Sequence, residues 1–302
     1  MIYVTQGHEH GIGLEIFLKS FLLLSKNEQK EVVLVCDENV FKKNLIDLHL
    51  SQSFFSNLKT IPNAVHSKFH STNSLLTCID LLGEKDVLVT LPTSKDQLIY
   101  QNKHCAGYTE FFRAYYQNQS IPMTFMGLGK NILLITDHVS LKEVGSSITS
   151  NLIVEKTKVT LDSYKKYFSP IEDVVFAGIN PHAGEGGILG SGEEHIKKAI
   201  ELLSKNYGNI FSGPYSGDTL HTKEIHNKNQ LFVYMFHDQA LASFKSQYGL
   251  IGLNITLGLP YLRLSVDHGT AFDLYGKNKA NATSMIYLFK KAFEVTNVHQ
   301  RN

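Results

Sequence analysis

The sequence predicts an α/β protein with a mostly parallel sheet and two closely packed lobes. Three observations carry that prediction. Short apolar runs without polar alternation recur along the chain, marking strands covered on both faces. Amphipathic stretches at helical spacing separate them. Polar, glycine-rich clusters follow the runs, as at the carboxyl edge of an open α/β sheet, where ligands bind. At 302 residues the chain is near the size at which a single core stops growing, so one large unit or two packed lobes suit it. No internal repeat, low-complexity tract or linker rich in Pro, Gly or Ser interrupts it.

The strand candidates, in order, are Ile2–Thr5, Val32–Cys36, Val87–Leu91, Ile132–Thr136, Val174–Ala177 and Leu231–Phe236, all rich in β-branched or bulky side chains. The clearest helix begins at Ser191-Gly192-Glu193-Glu194, read as a capping box with Ser191 at the cap and Glu194 three residues on. Ile196, Ala199, Ile200 and Leu203 continue it at helical spacing, and Gly208 ends it. A last helical stretch spans Ser284–Val295. The polar clusters after the runs are Gln6–Gly13, Pro92–Lys95, Asp137–Ser140, Asn180–Gly187 and His237–Gln239.

Lys and Arg total 29 against 28 Asp and Glu, a net charge of +1, which offers no long-range attraction to nucleic acid or an anionic membrane. Any bound anion must therefore be caught by a local site. Cys36, Cys78 and Cys105 share no C-x-x-C spacing, and the first two sit in apolar runs, as small buried thiols in a reducing cytoplasm do. The N-terminal stretch lacks the basic region and apolar core of a signal peptide, and no window reaches the ~20 apolar residues that span a bilayer. The expected setting is cytoplasmic.

His138 in Thr136-Asp137-His138-Val139, His182 in Asn180-Pro181-His182-Ala183, and His237 in Phe236-His237-Asp238-Gln239 each follow a strand candidate. Three neutral imidazoles with an open coordination position suit a catalytic divalent ion. The chain has 14 histidines, however, and a lone histidine near a strand end is more often a hydrogen-bonded structural group, so spacing alone leaves both readings open. Gly184, Gly186 and Gly187 allow a ligand close to the backbone, or simply a turn.

Lys245, Asn254 and Arg263 supply two cations and an amide. An Arg fork and a Lys point charge suit a substrate phosphate or carboxylate, with solvated surface charge as the alternative for each. Asp267-His268-Gly269-Thr270-Ala271 leads to Asp273 and then Gly276–Asn281, a loop that can wrap an adenosine group or form an ordinary surface turn. Gly7–Gly13 lacks the G-x-G-x-x-G order of a Rossmann phosphate loop. Within it His8 and His10 flank Glu9, a second and weaker metal-ligand pattern without evident supporting ligands.

Asn180–Gly187, Gly213–Thr219, His237-Asp238-Gln239 with Lys245, and Asn254–Pro260 through Asp267–Ala271 together resemble the signature blocks of the 4-hydroxythreonine-4-phosphate dehydrogenase family, in order and at compatible spacings. Gly11–Glu15, Val89–Pro92, Gly107–Phe111 and Thr136–Leu141 extend the likeness through nearly the whole chain. It is strongest from Gly178 to Asn281. The resemblance implies a two-lobed α/β/α sandwich similar to the isocitrate and isopropylmalate dehydrogenases, with the active site in the interlobe cleft. Lobe 1 would be residues 1–98 plus 249–302, on the dinucleotide side, and lobe 2 residues 99–248, on the metal, substrate and dimer side.

It further implies a homodimer with shared active sites. His138, His182 and His237 would hold one divalent ion (Zn, Mg, Co, Ni or Mn), one of them supplied by the partner subunit. Thr109, Tyr108, Lys245, Asn254 and Arg263 match substrate-binding positions. Lys245 and Asp218 match residues for proton transfer or recognition of a substrate ammonium. Asp267, His268, Gly269, Thr270, Ala271, Asp273 and Asn281 match the part that holds NAD, with NADP as the alternative. The implied reaction is oxidation and decarboxylation of 4-phosphooxy-L-threonine to 3-amino-2-oxopropyl phosphate, on the route to pyridoxal phosphate. The alternatives are a paralogous dehydrogenase of another phosphorylated hydroxy acid, such as phosphothreonate or a four-carbon phosphosugar acid, and a non-catalytic metal- or ligand-binding homologue.

Two departures from the family pattern stand out. Its first loop usually reads Gly-Asp-Pro-Ala-Gly-Ile-Gly-Pro-Glu, where this chain has Gly7-His8-Glu9-His10-Gly11-Ile12-Gly13-Leu14-Glu15. The block usually written Gly-His-Thr-Glu is Gly107-Tyr108-Thr109-Glu110 here, placing at the substrate a phenol of ordinary pKa about 10 instead of an imidazole.

Overall fold

The computed structural model describes residues 1–222 and 229–301. The chain divides into two compact units, residues 1–117 with 259–302, and residues 118–258.

The first unit opens with β1 (Ile2–Thr5), α1 (Gly13–Phe21), α2 (Lys26–Lys30), β2 (Val32–Val35), α3 (Glu38–Asp47), β3 (Lys59–Ile61), α4 (His70–Leu81) and β4 (Val87–Thr90). A small hairpin, β5 (Ile99–Tyr100) and β6 (Lys103–His104), leads to α5 (Tyr108–Tyr115). The second unit comprises β7 (Met123–Gly127), β8 (Lys130–Leu134), α6 (Leu141–Ser147), α7 (Ser150–Tyr167), β9 (Asp173–Ala177), α8 (Glu193–Tyr207), β10 (Phe211–Tyr215), α9 (Gly217–Leu220), β11 (Gln230–Tyr234), α10 (His237–Tyr248) and β12 (Leu253–Thr256). The chain then returns to the first unit with β13 (Leu262–Val266) and α11 (Thr283–Arg301).

In the first unit the strands run β13-β4-β1-β2-β3, all parallel. Every residue of β2 and β4 is buried, as expected of apolar runs covered on both faces. Phe17 and Phe21 of α1 pack with Phe289 and Phe55 in that cover, the Phe17 and Phe289 centroids lying 6.1 Å apart. In the second unit the order is β10-β9-β11-β8-β7-β12. The first four are parallel, and β7 runs antiparallel to both β8 and β12. Its core includes Phe125, Phe232, Tyr234 and Phe244.

The unit junctions fall later in the chain than 98/99 and 248/249 because of local pairing. Phe111 of α5 packs on Tyr100 of the hairpin, ring centroids 5.8 Å apart, which keeps α5 with the first unit. β12 pairs with β7 and so stays with the second. The helix read as capped by Ser191 begins one residue later. Gly192, at φ 112°, is its N-cap, and Glu194 accepts the Gly192 backbone N–H at 2.8 Å. Glycine reaches that backbone conformation without the steric cost a serine would meet. Gly208 ends the helix, as expected.

Glu15 on α1 is buried, and its Oε1 accepts both the Ala280 backbone N–H and the Lys19 ammonium at 2.7 Å. Lys19 donates in turn to the carbonyls of Asn278 and Ala280 at 3.2 and 3.0 Å. One charged pair thus fastens the Gly276–Asn281 loop to α1. Glu15→Ala strips these partners from a buried site, at a cost of about 1.5–3 kcal/mol for charged hydrogen bonds. The expected result, read by urea denaturation, is a lowered midpoint at unchanged m-value, with faster amide exchange confined to that loop.

Cys36, Cys78 and Cys105 are free and buried. Burial pushes the Cys36 thiol up to about 12 and raises the Cys78 and Cys105 thiols as well. Because the thiolate is the reactive form, native protein should show no fast-reacting thiol toward a disulfide reagent, and all three should appear on unfolding. Among the described residues no helix is long and apolar enough to cross a membrane.

Candidate active site

Parallel pairing of β8 with β11, Phe232 against Ile132, carries the two strands to the same edge. It continues past their ends, with Ile135 N–H donating to the Tyr234 carbonyl at 2.9 Å and Thr136 N–H to that of Met235 at 3.0 Å. The residues that follow therefore meet. The rings of His138 and His237 have centroids 5.8 Å apart and line one cavity of about 210 Å³ with Asp137, Leu141 and Phe236. Behind them, buried Asp137 takes the His138 backbone N–H at 2.9 Å, and its other oxygen lies 3.9 Å from the buried Lys156 ammonium. Lys156 donates to the Ile135 carbonyl at 2.7 Å. This anchored pair fixes the turn that presents His138.

His182 sits on a turn of reversed hand. From His182 to Gly186 every φ is positive, between 42° and 76°. For the non-glycine residues that hand costs roughly 1–2 kcal/mol each, so the turn needs outside support. Glu193, buried at the start of α8, supplies it by accepting the Asn180 backbone N–H at 2.9 Å and the Asn180 Nδ2 at 3.0 Å. Gln239 of α10 ties the same loop down, donating to the Gly178 carbonyl at 2.7 Å while accepting the Met235 N–H at 2.8 Å. His182 lines a second cavity of about 420 Å³ with Asn180, Asp218, Phe236 and Gln239. Within one chain, then, His138 and His237 come together and His182 stands apart; among the described residues the three do not form one ligand group.

His237 Nδ1 lies 2.6 Å from Asp238 Oδ1, and His182 Nδ1 lies 2.7 Å from Glu185 Oε1. A carboxylate only accepts, so in each imidazole the Nδ1 carries a proton, which leaves Nε2 as the nitrogen that can ligate. That is the tautomer a metal ligand needs, oriented as carboxylate–histidine–metal arrangements orient it.

Asp218, exposed on α9, accepts the Ser216 hydroxyl at 2.5 Å. This bond, together with backbone N–H groups and nearby His182, holds its carboxyl below the usual range, so it is ionised at neutral pH. Lys245 is exposed further along α10, and Asn254 is half-buried on β12 opposite Phe125.

In the first unit Arg263 of β13 is fully buried. Its Nε and Nη2 donate to Thr90 Oγ1 at 2.9 and 2.5 Å, and its guanidinium lies 4.9 Å from the centre of the Tyr108 ring. Burial lowers its pKa to about 10, still well above neutrality. Tyr108 donates its hydroxyl to the Leu91 carbonyl at 2.9 Å, and burial raises that phenol further. It therefore stands as a neutral platform for Arg263. Thr109, beside it at the start of α5, is buried.

Of the segment expected to hold the dinucleotide, His268 Nδ1 donates to the Gly269 carbonyl at 3.1 Å, and Nε2 accepts the Ser284 hydroxyl at 2.8 Å. The Thr270 carbonyl takes the Ile12 N–H at 2.9 Å, and Ala271 is left-handed at φ 42°. Asp273 is exposed on the short turn Phe272–Leu274. Asn281 Oδ1 accepts the Thr283 N–H at 2.9 Å, which caps the first turn of α11. Asp267 and Gly269 complete the turn between β13 and that segment.

The sequence pattern assigns no site role to Glu185, Glu193, Lys156 or Asp137. Two signals were available, a carboxylate three residues after His182 and another just before His138. For Glu193 and Lys156, only burial reveals the role.

The structure is similar to that of a 4-hydroxythreonine-4-phosphate dehydrogenase from Burkholderia phymatum, with TM-score 0.77 and 24% identity over 97% of each chain. That likeness shows a shared α/β fold. It is 31% identical over 96% of both chains to the 4-hydroxythreonine-4-phosphate dehydrogenase of Sulfurimonas denitrificans. It is also 33% identical to that of Geobacter metallireducens over 72% of this chain and 64% of that one. The family model described as pyridoxal phosphate biosynthetic protein PdxA matches residues 28–292. The chain belongs to this family, whose role is an oxidoreductase step in pyridoxal phosphate biosynthesis.

Proposed function

We propose that the chain oxidises and decarboxylates 4-phosphooxy-L-threonine to 3-amino-2-oxopropyl phosphate, using NAD and one divalent metal ion. The observation that carries the proposal is the presentation of His237 and His182 as Nδ1-protonated imidazoles, each backed by a carboxylate, with His138 beside His237. This donor set fits zinc, cobalt, nickel or manganese, and magnesium less well. His138 and His237 are assigned to the ion from one chain and His182 from the partner subunit. The exposure of Ile188 and Leu141, at 81% and 73%, beside these histidines supports a covering second chain.

Bound there, the ion would supply Lewis acidity toward the substrate hydroxyl and the carbonyl it becomes, and a nicotinamide dinucleotide, NAD or in the alternative NADP, would supply hydride acceptance. Arg263 is assigned to the phosphate, its fork braced by Thr90 and Tyr108. Asp218, held ionised, is a poor acid and is assigned to the substrate ammonium. Lys245 is assigned to moving the proton at the alcohol oxygen, and Asn254 and Thr109 to orienting the substrate. The segment from Asp267 to Asn281, with Asp273 its exposed carboxylate, is assigned to the dinucleotide.

One observation favours a second reading. Tyr108 commits its hydroxyl to Leu91 and its ring to Arg263, where the family has a histidine at the substrate. The substrate is then another phosphorylated hydroxy acid. Metal-depleted protein, reconstituted and followed by nicotinamide absorbance over a panel of such acids, decides. Metal-dependent turnover of 4-phosphooxy-L-threonine is expected; turnover of another acid alone supports the second reading, and no turnover with any acid, metal or dinucleotide overturns both.

A further inference from the structure

The loop after β1 presents a group of ligating side chains apart from the three histidines, beside the segment assigned to the dinucleotide. Gly7 has φ 68°, and a Cβ there would stand 2.6 Å from the Pro92 carbonyl oxygen. The His8 N–H donates to that oxygen at 3.0 Å, and the Gly11 N–H closes a turn on the His8 carbonyl at 3.0 Å. On this turn a ring nitrogen of His8, a carboxylate oxygen of Glu9 and a ring nitrogen of His10 lie within 4.8 Å of one another.

The group is supported from outside. Gln97, a buried residue, donates its Nε2 to both Glu9 oxygens at 3.0 and 2.9 Å. Its own Oε1 accepts the Ser71 N–H at 3.4 Å, so the amide is oriented. The His8 ring packs edge-on against Phe272 at 4.8 Å between centroids, and the His10 ring against Tyr275 at 5.4 Å.

One contact points to a cation. His8 Nδ1 accepts the His10 backbone N–H at 3.0 Å, so it carries a lone pair and no proton. Glu9 Oε2 lies 3.6 Å from that nitrogen. Each acceptor has its own donor, the His10 N–H and the Gln97 amide, and no proton lies between the two, so their contact is no salt bridge. Ligands held at ~2.0–2.1 Å from a tetrahedral or trigonal ion stand about 3.3–3.6 Å apart, which is the separation observed. His10 is exposed, so its ring can move in to join, and its backbone N–H gives up the hydrogen bond to His8 Nδ1 as the ion takes that lone pair.

We propose that His8, Glu9 and His10 form a second divalent-metal site in the first unit, separate from the histidines of the second. Two imidazoles and one carboxylate select a borderline ion such as zinc, cobalt or nickel over magnesium or calcium. Gln97 is its outer partner, orienting the carboxylate as such partners do.

The test uses the full chain carrying His138→Ala and His237→Ala, depleted with a chelator and titrated with zinc by calorimetry and with cobalt by visible absorption. One zinc ion per chain should still bind. Adding Glu9→Gln or His10→Ala, each on an accessible side chain, should weaken that binding by more than the roughly 10- to 100-fold that loss of an outer partner costs, and Gln97→Leu should fall within that range. Circular dichroism of every variant checks the fold. Absence of zinc binding in the parent variant overturns the proposal, as does unchanged affinity in both Glu9→Gln and His10→Ala.

Discussion

His237→Ala is expected to abolish metal-dependent turnover while leaving the fold intact. His237 opens α10 with its ring part-exposed, against His138 and Asp238, so its loss removes little buried surface. The catalytic cost is large, because a metal acting on a hydroxyl and then on a carbonyl contributes several kcal/mol of transition-state stabilisation. At ~1.4 kcal/mol per tenfold, kcat/KM should fall by about a thousand-fold or more. Asp238→Asn should be milder. It keeps a hydrogen bond to Nδ1 but removes the charge that favours its proton, so metal affinity should drop by roughly 10- to 100-fold and excess metal should restore most of the rate. Equal losses in the two variants, or a His237→Ala enzyme that keeps its rate, would show that the ion is held elsewhere.

Arg263→Lys carries the second large effect. Lysine keeps the charge but not the planar fork that Thr90 and Tyr108 brace, and at a bidentate site that exchange is not conservative. Losing charged hydrogen bonds of about 1.5–3 kcal/mol should reduce kcat/KM by roughly ten- to a hundred-fold, mainly through KM if the phosphate is held alike throughout the reaction. Tyr108→Phe isolates the platform. It removes the hydroxyl's bond to the Leu91 carbonyl and its interaction with the Thr5 side chain, about 1 kcal/mol of stability for each, and should leave KM nearly unchanged. A large rise in KM for Tyr108→Phe would instead show its hydroxyl at the substrate, as the family's histidine would be.

The central strands were legible because burial on both faces writes itself as uninterrupted apolar runs. Val32–Val35 and Val87–Thr90 are such strands. Those passed over carry other chemistry. Met123–Gly127 and Phe211–Tyr215 contain glycine or proline, Leu253–Thr256 places Asn254 in the ladder, and Leu262–Val266 buries a charged Arg263. Lys59–Ile61 is a short edge strand with little to bury. Ser191 misled for a related reason, since cap propensity does not reveal that the backbone there takes a left-handed step only Gly192 makes cheaply.

At the site, sequence placed each histidine after a strand but could not say which strands are neighbours. The β8–β11 pairing joins His138 with His237, whereas His182 leaves β9 on a reversed turn that no propensity foretells. The carboxylates on Nδ1 of His182 and His237 lie within three residues in sequence, yet only the folded geometry turns that proximity into a tautomer.

The proposed sharing of each metal centre between two chains is tested most directly by mixing. His182→Ala and His237→Ala proteins, each expected to be inactive, are combined under conditions that let subunits exchange, and assayed. If His182 serves the partner's His138 and His237, each mixed dimer regains one native site, and random exchange restores about a quarter of wild-type activity. If all three histidines act within one chain, every site keeps a lesion and the mixture stays inactive, which would contradict the account.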